Sequence, residues 1–172
     1  MGLDLIPGGT RVFIDAPVFI YHFTGSSMQC RDVLHRCERG ELNGVTSVTV
    51  LAEVTHRLMM LEAIAARLVR SGNVAKKLRE RPEVIRRLRL ASEQTARIAL
   101  MGIEVLGLEL RLVLSAAAFR EKYGLMTNDS IIMATIEDVD ITHVATADRD
   151  FGRVEGLTVF EPTDLLMVED RL

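Results

Sequence analysis

Five carboxylates stand where short apolar runs of this chain give way to turns and helices. Asp15 follows Val12, Phe13 and Ile14, and Asp148 and Asp150 follow "ITHVATA". Asp129 lies inside "TNDS", and Glu53 a few residues beyond "NGVTS". Carboxylates gathered in one cleft repel each other, so such a cleft calls for a cation. A donor set of oxygens without His or Cys suits Mg²⁺ or Mn²⁺. Ions of this kind activate water and bind phosphodiester oxygens, with two metals about 3.5–4 Å apart in the two-metal version. Water would then attack phosphorus in line while developing charge is stabilised.

Each acid also has a plainer use. Asp129, Asp148 and Asp150 suit the first turns of helices, where a negative charge complements the dipole. Glu53 is spaced to pair with Arg57. Asp15 is harder to explain in this way, because Ala16 and Pro17 offer it no evident local partner. The weight rests on the set, which only a common scaffold could assemble.

That scaffold is legible in outline. Residues 11–15 read as a first strand and 16–22 as a short helix, with Pro17 in its first turn, where a missing N–H costs nothing. "SMQCRDVLHRCERG" reads as a helix ended by Gly40. "LNGVTS" reads as a second strand. From about Val48 an apolar stripe runs through Leu51, Val54, Leu58, Leu61, Ala65 and Leu68, the period of a long helix that "SGN" at 71–73 breaks. Pro82 opens a further helix lined by Val84, Leu88, Ala91, Thr95 and Ile98. "IEVLGL" is a third strand, 109–123 a helix stopped at Gly124, and 127 or 128 the cap of the next. "ITHVATA" and "LTVFEP" supply strands four and five. Alternating strands and helices predict an α/β domain with three α/β/α layers around a central parallel sheet. Residues 1–172 read as one domain, with about 49–101 an extended helical arm. In such sheets sites form beyond the carboxyl ends of the strands, where strand order reverses.

Composition narrows the function. The 172 residues suffice for one core, and 48% of them are hydrophobic, which excludes a disordered chain. Aromatics are 5% and Trp is absent, which argues against base-stacking platforms. No apolar stretch is long enough to span a membrane, and no leader opens the chain, so a cytoplasmic protein is expected. Cys30 and Cys37 lie too far apart along one helix to bridge and read as buried thiols. The net charge of −3 hides an asymmetry. Residues 67–97 carry ten basic residues and three acids, a balance of +7 that leaves −10 on the rest. A basic arm on an acidic body suggests a polyanionic partner, with Arg86, Arg87 and Arg89 as candidate RNA or partner contacts; a solvated face of ion pairs is the alternative. Phosphate-binding loops of the G-x-x-x-x-G-K-[ST] or G-x-G-x-x-G kind are absent, as is G-x-S-x-G. Glu53 and His56 form one E-x-x-H, a single copy of a motif that di-iron bundles use twice. His22, His35 and His143 show no ligand spacing.

Four segments in order, "VFIDAPVFIYHF", "TSVTVLAEV", "LMTNDSIIMATI" and "HVATADRDF", resemble the motifs of PIN-domain ribonucleases, the family that includes VapC-type toxins. The resemblance covers roughly residues 11–161. It implies Mg²⁺ or Mn²⁺ held by Asp15, Glu53, Asp129 and Asp148, with Asp150 auxiliary and Ser47 and Thr146 supporting. It also implies single-stranded RNA as substrate, a homodimer and a partner antitoxin. The chain departs from the family at Pro17, where many members place Asn, and in its Arg-rich arm. Two other functions compete. One is a Toprim-like phosphotransfer enzyme using Asp148 and Asp150 as a D-x-D pair, with Asp129 dispensable. The other is an inert RNA-binding or oligomerisation module.

Overall fold

A computed structural model describes residues 1–165. Five strands, β1 (Arg11–Ile14), β2 (Asn43–Ser47), β3 (Glu104–Leu106), β4 (His143–Ala145) and β5 (Thr158–Phe160), form one sheet in the order β3-β2-β1-β4-β5. Every pairing is parallel. The centre is β1, whose Val12, Phe13 and Ile14 are fully buried. A strand covered on both faces has no solvent side to populate with polar residues, so it reads as an unbroken apolar run. From β1 the chain builds outward through β2 and β3 on one side and through β4 and β5 on the other. The strand order therefore switches between β1 and β4.

The described residues form eight helices: α1 (Ala16–Thr24), α2 (Met28–Glu38), α3 (Val48–Ala65), α4 (Val74–Arg79), α5 (Pro82–Ile85), α6 (Leu90–Ile98), α7 (Leu110–Tyr123) and α8 (Thr127–Asp138). On α8 every residue from Ser130 to Ile136 is buried. Its Ile132, Met133 and Ile136 join the main core, while Ile131 and Ala134 pack with Leu112 and Ala116 of α7. A helix apolar all round must be covered on more than one side, and α7 is the second cover. Cys30 and Cys37 are free, buried thiols, as the spacing predicts. Gly44 on β2 is required by close approach, since a Cβ there would stand 2.7 Å from the Cys37 sulfur.

The helical stretch contains α4 (Val74–Arg79), which the sequence pattern does not predict, and differs from that pattern in two further places. The apolar stripe predicts a helix reaching Leu68, but α3 stops at Ala65. Arg67 takes the left-handed conformation (φ 56°), and the Leu68 amide returns to the Ala63 carbonyl at 2.9 Å, a Schellman-type ending before "SGN" is reached. The single helix predicted from Pro82 is two helices. Val84 packs in a satellite cluster with Ala63, Val69, Val74 and Leu78, whereas Ala91 and Ile98 belong to the main core. One straight helix could not serve both clusters. The break is closed from outside: the Glu62 carboxylate on α3 accepts the amides of Arg89, Leu90 and Ala91 at 2.9–3.1 Å. It supplies the cap that α6 lacks in its own sequence. The short helical turn at Leu3–Leu5, unpredicted, sets the buried Leu3 beside β5, with its amide on the Glu161 carbonyl at 3.1 Å.

Candidate active site

The carboxyl ends of β1 and β4 lie side by side, with Ile14 in register with Ala145. The residues that follow them, Asp15 and Thr146, meet there. The Thr146 hydroxyl donates to Asp15 Oδ2 at 2.6 Å, and the Ala16 amide donates to Oδ1 at 2.7 Å. The Asp15 amide is held by the Ala145 carbonyl at 3.0 Å. Both carboxylate oxygens are thus fixed, so the acid is rigid as well as buried, at 4% exposure. Asp15 is also the N-cap of α1, and Pro17 stands in the first turn, as the sequence predicts. None of the bonds to Asp15 involves residue 17, so the family's polar side chain there is not needed to hold the acid.

Thr146 continues the chain of bonds. Its oxygen accepts the Asp148 amide at 3.0 Å, and Asp148 Oδ1 accepts the Asp150 amide at 2.8 Å. Asp148 caps the helical turn Arg149–Arg153, so its plainer reading as a cap also holds. Asp150 pairs with Arg153 at 2.8 Å. Ser47, fully buried at the end of β2, caps α3 through the Val50 amide at 3.4 Å and bonds Thr49 at 2.8 Å. It makes no bond to the acids. Thr46, which the sequence reading passes over, ties β2 to the Ile14 carbonyl at 2.9 Å, one residue before Asp15. An isolated Thr in a strand carries no signal of that bond.

The electrostatics join the remaining acids. Burial pushes Asp15 up to about 7, against hydrogen bonds from Thr146 and Ala16 that favour the charged form, and the charges of Glu53 and Asp129 push the same way as burial. Asp129, half-buried in the first turn of α8, is raised to about 6 by desolvation and then by Asp148, Asp150 and Glu53. The Met126 amide works against that rise. Met126 holds the cap position without a side-chain bond, so neither Thr127 nor Asn128 is the cap. Five carboxylates from four distant segments therefore share one field. Glu53 forms no ion pair with Arg57 among the described residues. Among the described residues no three His, Cys, Asp or Glu side chains are arranged to enclose one ion. Mg²⁺ keeps several waters and binds through one or two carboxylates plus substrate oxygens, so an enclosing cage is not what it requires. The oxygen-only donors, with Asp15 and Asp129 held above the usual carboxylate range, fit such an ion.

The other candidates make no bond to this network among the described residues. Arg86, Arg87 and Arg89 are exposed between α5 and α6 and form no ion pair among the described residues. His56 is exposed and belongs to no metal-binding group. No described helix is long and apolar enough to cross a membrane.

The comparisons agree with this fold. A PIN-domain family model matches residues 12–157. Ribonuclease VapC2 of Methanocaldococcus jannaschii is 26% identical over 152 residues, 88% of this chain and 93% of that protein. Among solved structures, VapBC2 of Rickettsia felis, bound to a DNA fragment from its promoter, superposes with a TM-score of 0.56 at 12% identity, covering 88% of this chain and 98% of that one. VapC20 of Mycobacterium tuberculosis, described as a sarcin-ricin loop cleaving toxin, gives 0.54 at 14%, covering 82% and 92%. At such identities the structural likeness speaks for the fold. The family match spans β1 to the threshold of β5 and includes Asp15, Glu53, Asp129, Asp148 and Asp150, which sets aside the Toprim-like reading: this chain belongs to the PIN-domain family.

Proposed function

We propose that this protein is a metal-dependent endoribonuclease that hydrolyses RNA phosphodiesters at the carboxyl ends of β1 and β4, and that it acts as the toxin of a toxin–antitoxin pair. One observation carries the reading. Asp15 is buried and doubly hydrogen-bonded at the switch point, and is pushed up to about 7 among other acids, a state that a neighbouring cation would relieve.

Asp15, Glu53, Asp129 and Asp148 would hold Mg²⁺ or Mn²⁺, with Asp150 auxiliary. When bound, the ion supplies an activated water and neutralises charge on the phosphoryl oxygens. The chain's own part is positioning. Thr146 fixes the Asp15 carboxylate and anchors the Asp148 amide through one hydroxyl, so the ends of two strands act as one rigid mount. Thr46 and Ser47 stiffen the neighbouring strand end. The ribonuclease name of the Methanocaldococcus relative supports RNA as the substrate, and the toxin–antitoxin complexes among the structural relatives support an antitoxin partner.

The test is cleavage of single-stranded and structured RNAs by purified protein with Mg²⁺, with Mn²⁺ and with EDTA. Cleavage is expected with metal alone and is expected to be lost in Asp15→Asn. Equal cleavage in EDTA, or by Asp15→Asn, overturns the proposal. RNA retention without turnover under every metal would instead favour the inert binding module.

A further inference from the structure

We propose that Arg120 and Arg149 are the side chains that grip the RNA backbone on either side of the acids, an assignment that rests on the ribonuclease reading above. Arg120 lies in the last turn of α7, and its Nη1 donates to Ser130 Oγ at 3.1 Å. Ser130 is fully buried, follows Asp129 directly and gives its own proton to the Thr127 carbonyl at 2.8 Å. The guanidinium is therefore moored on α8 at the residue that follows Asp129. Arg149 lies between Asp148 and Asp150 in the turn after β4 and is exposed. One arginine is thus bonded to the residue after Asp129, and the other is itself the residue after Asp148.

What singles these two out is what they do not bind. Other cations around α7 and the β4 turn are committed. Arg111 pairs with Glu109 and Asp138, Lys122 with Glu155, and Arg153 with Asp150. Among the described residues Arg120 and Arg149 are in no ion pair, although carboxylates flank both in sequence. A guanidinium that neighbouring acids have not taken keeps its planar fork of donors free, and that fork matches two oxygens of a phosphate. Arg120 has spent one N–H on Ser130, which orients the rest and lowers the entropy lost on binding.

The substrate makes such groups necessary. The acids that favour a cation repel every phosphate of an incoming strand, not only the one that is cut. Fixed positive charges beside the acids offset that repulsion for the flanking phosphates. The arginines of the arm lie on a separate segment with its own satellite core.

The experiment uses the full chain and a short single-stranded RNA. Cleavage kinetics are read with Mg²⁺ or Mn²⁺, and binding is read in EDTA across a range of salt, for Arg120→Gln, Arg149→Gln, the double variant and Ser130→Ala. Each arginine substitution is expected to raise KM about tenfold with kcat little changed. Each is also expected to lower the slope of log affinity against log salt by about 1. Ser130→Ala removes the mooring but keeps the guanidinium, so its salt slope should stay at the wild-type value. Wild-type KM and salt slope in both arginine variants overturn the proposal. So does a common fall in Tm and kcat for Arg120→Gln and Ser130→Ala with KM unmoved, which would make Arg120 a strut. If the wild-type protein cleaves with neither metal, the ribonuclease reading fails on its own, and an unchanged salt slope in EDTA still decides against the arginines.

Discussion

The rim at the ends of β1 and β4 and the satellite segment around α4 and α5 are built on opposite plans. At the rim, polar groups are buried and fixed: Asp15 has a partner for each oxygen, and Thr146 serves two acids. In the satellite, a small apolar cluster of Ala63, Val69, Val74, Leu78 and Val84 sits under a surface of solvated arginines. The rim stores unfavourable electrostatics on a rigid frame. The satellite stores almost none on a frame held to the body largely by α3 and by the Glu62 cap. On the proposed reading, the buried acid marks the site and the run of positive charge does not.

Substitutions in the two regions test that contrast. The largest effect is expected at Asp15→Asn, which should cut RNA cleavage about 1,000-fold while raising the Tm in EDTA at pH 8, since it removes a buried charge. Activity and stability measured on one preparation check both halves, and a fall in Tm together with retained cleavage would break the contrast. A second effect follows from the raised acids. Below about 4 both the folded and unfolded chains hold these protons, whereas between about 4 and 7 only the folded chain does. Metal-free stability from these groups is therefore fully present at low pH and is lost as pH rises through the folded values of about 6 and about 7. Thermal unfolding in EDTA at pH 5 and pH 8 should show this fall, and Mg²⁺ should raise the Tm more at pH 8 than at pH 5.

Thr146→Val comes next. It unties Asp15 Oδ2 and the Asp148 amide together, at a cost of about 1–3 kcal/mol by denaturant titration. Because the Thr146 bond favours the charged form of Asp15, its loss should move the acidic limb of the cleavage pH profile upward. Glu62→Ala should cost about 1 kcal/mol and speed hydrogen exchange at Arg89–Ala91, with cleavage by the rim unchanged. The smallest effect is expected for Arg86→Gln, Arg87→Gln and Arg89→Gln, each within about 0.5 kcal/mol in stability. Loss of RNA cleavage in these three comparable to that at the rim would move the nucleic-acid site to the satellite.

Much of the rim was legible because parallel strands announce themselves as apolar runs. Asp15, Asp148 and Thr146 stand at fixed offsets from such runs, and offset is what places a side chain at a strand end. Glu53 and Asp129 were legible through helix starts. Arg120 was not, because it reaches Ser130 across a helix pair and nothing in "FREKYG" announces that bond. The satellite was misread for a related reason. A stripe at helical spacing states which residues are buried, not in which cluster. Leu68 and Val84 keep the period, yet they pack in a separate core that requires the chain to turn at Arg67 and again between α5 and α6.

The parallel α/β frame, the acids and the two buried cysteines can be read along the chain, because periodicity and strand-end position are local properties that the backbone carries wherever it goes. Folding had to be complete before one threonine hydroxyl could tie β1 to β4, Glu62 could cap a helix 27 residues further on, and five acids could share one field. These depend on distances between segments far apart in the chain, which are fixed only when the sheet order β3-β2-β1-β4-β5 and the packing of the helices upon it are complete.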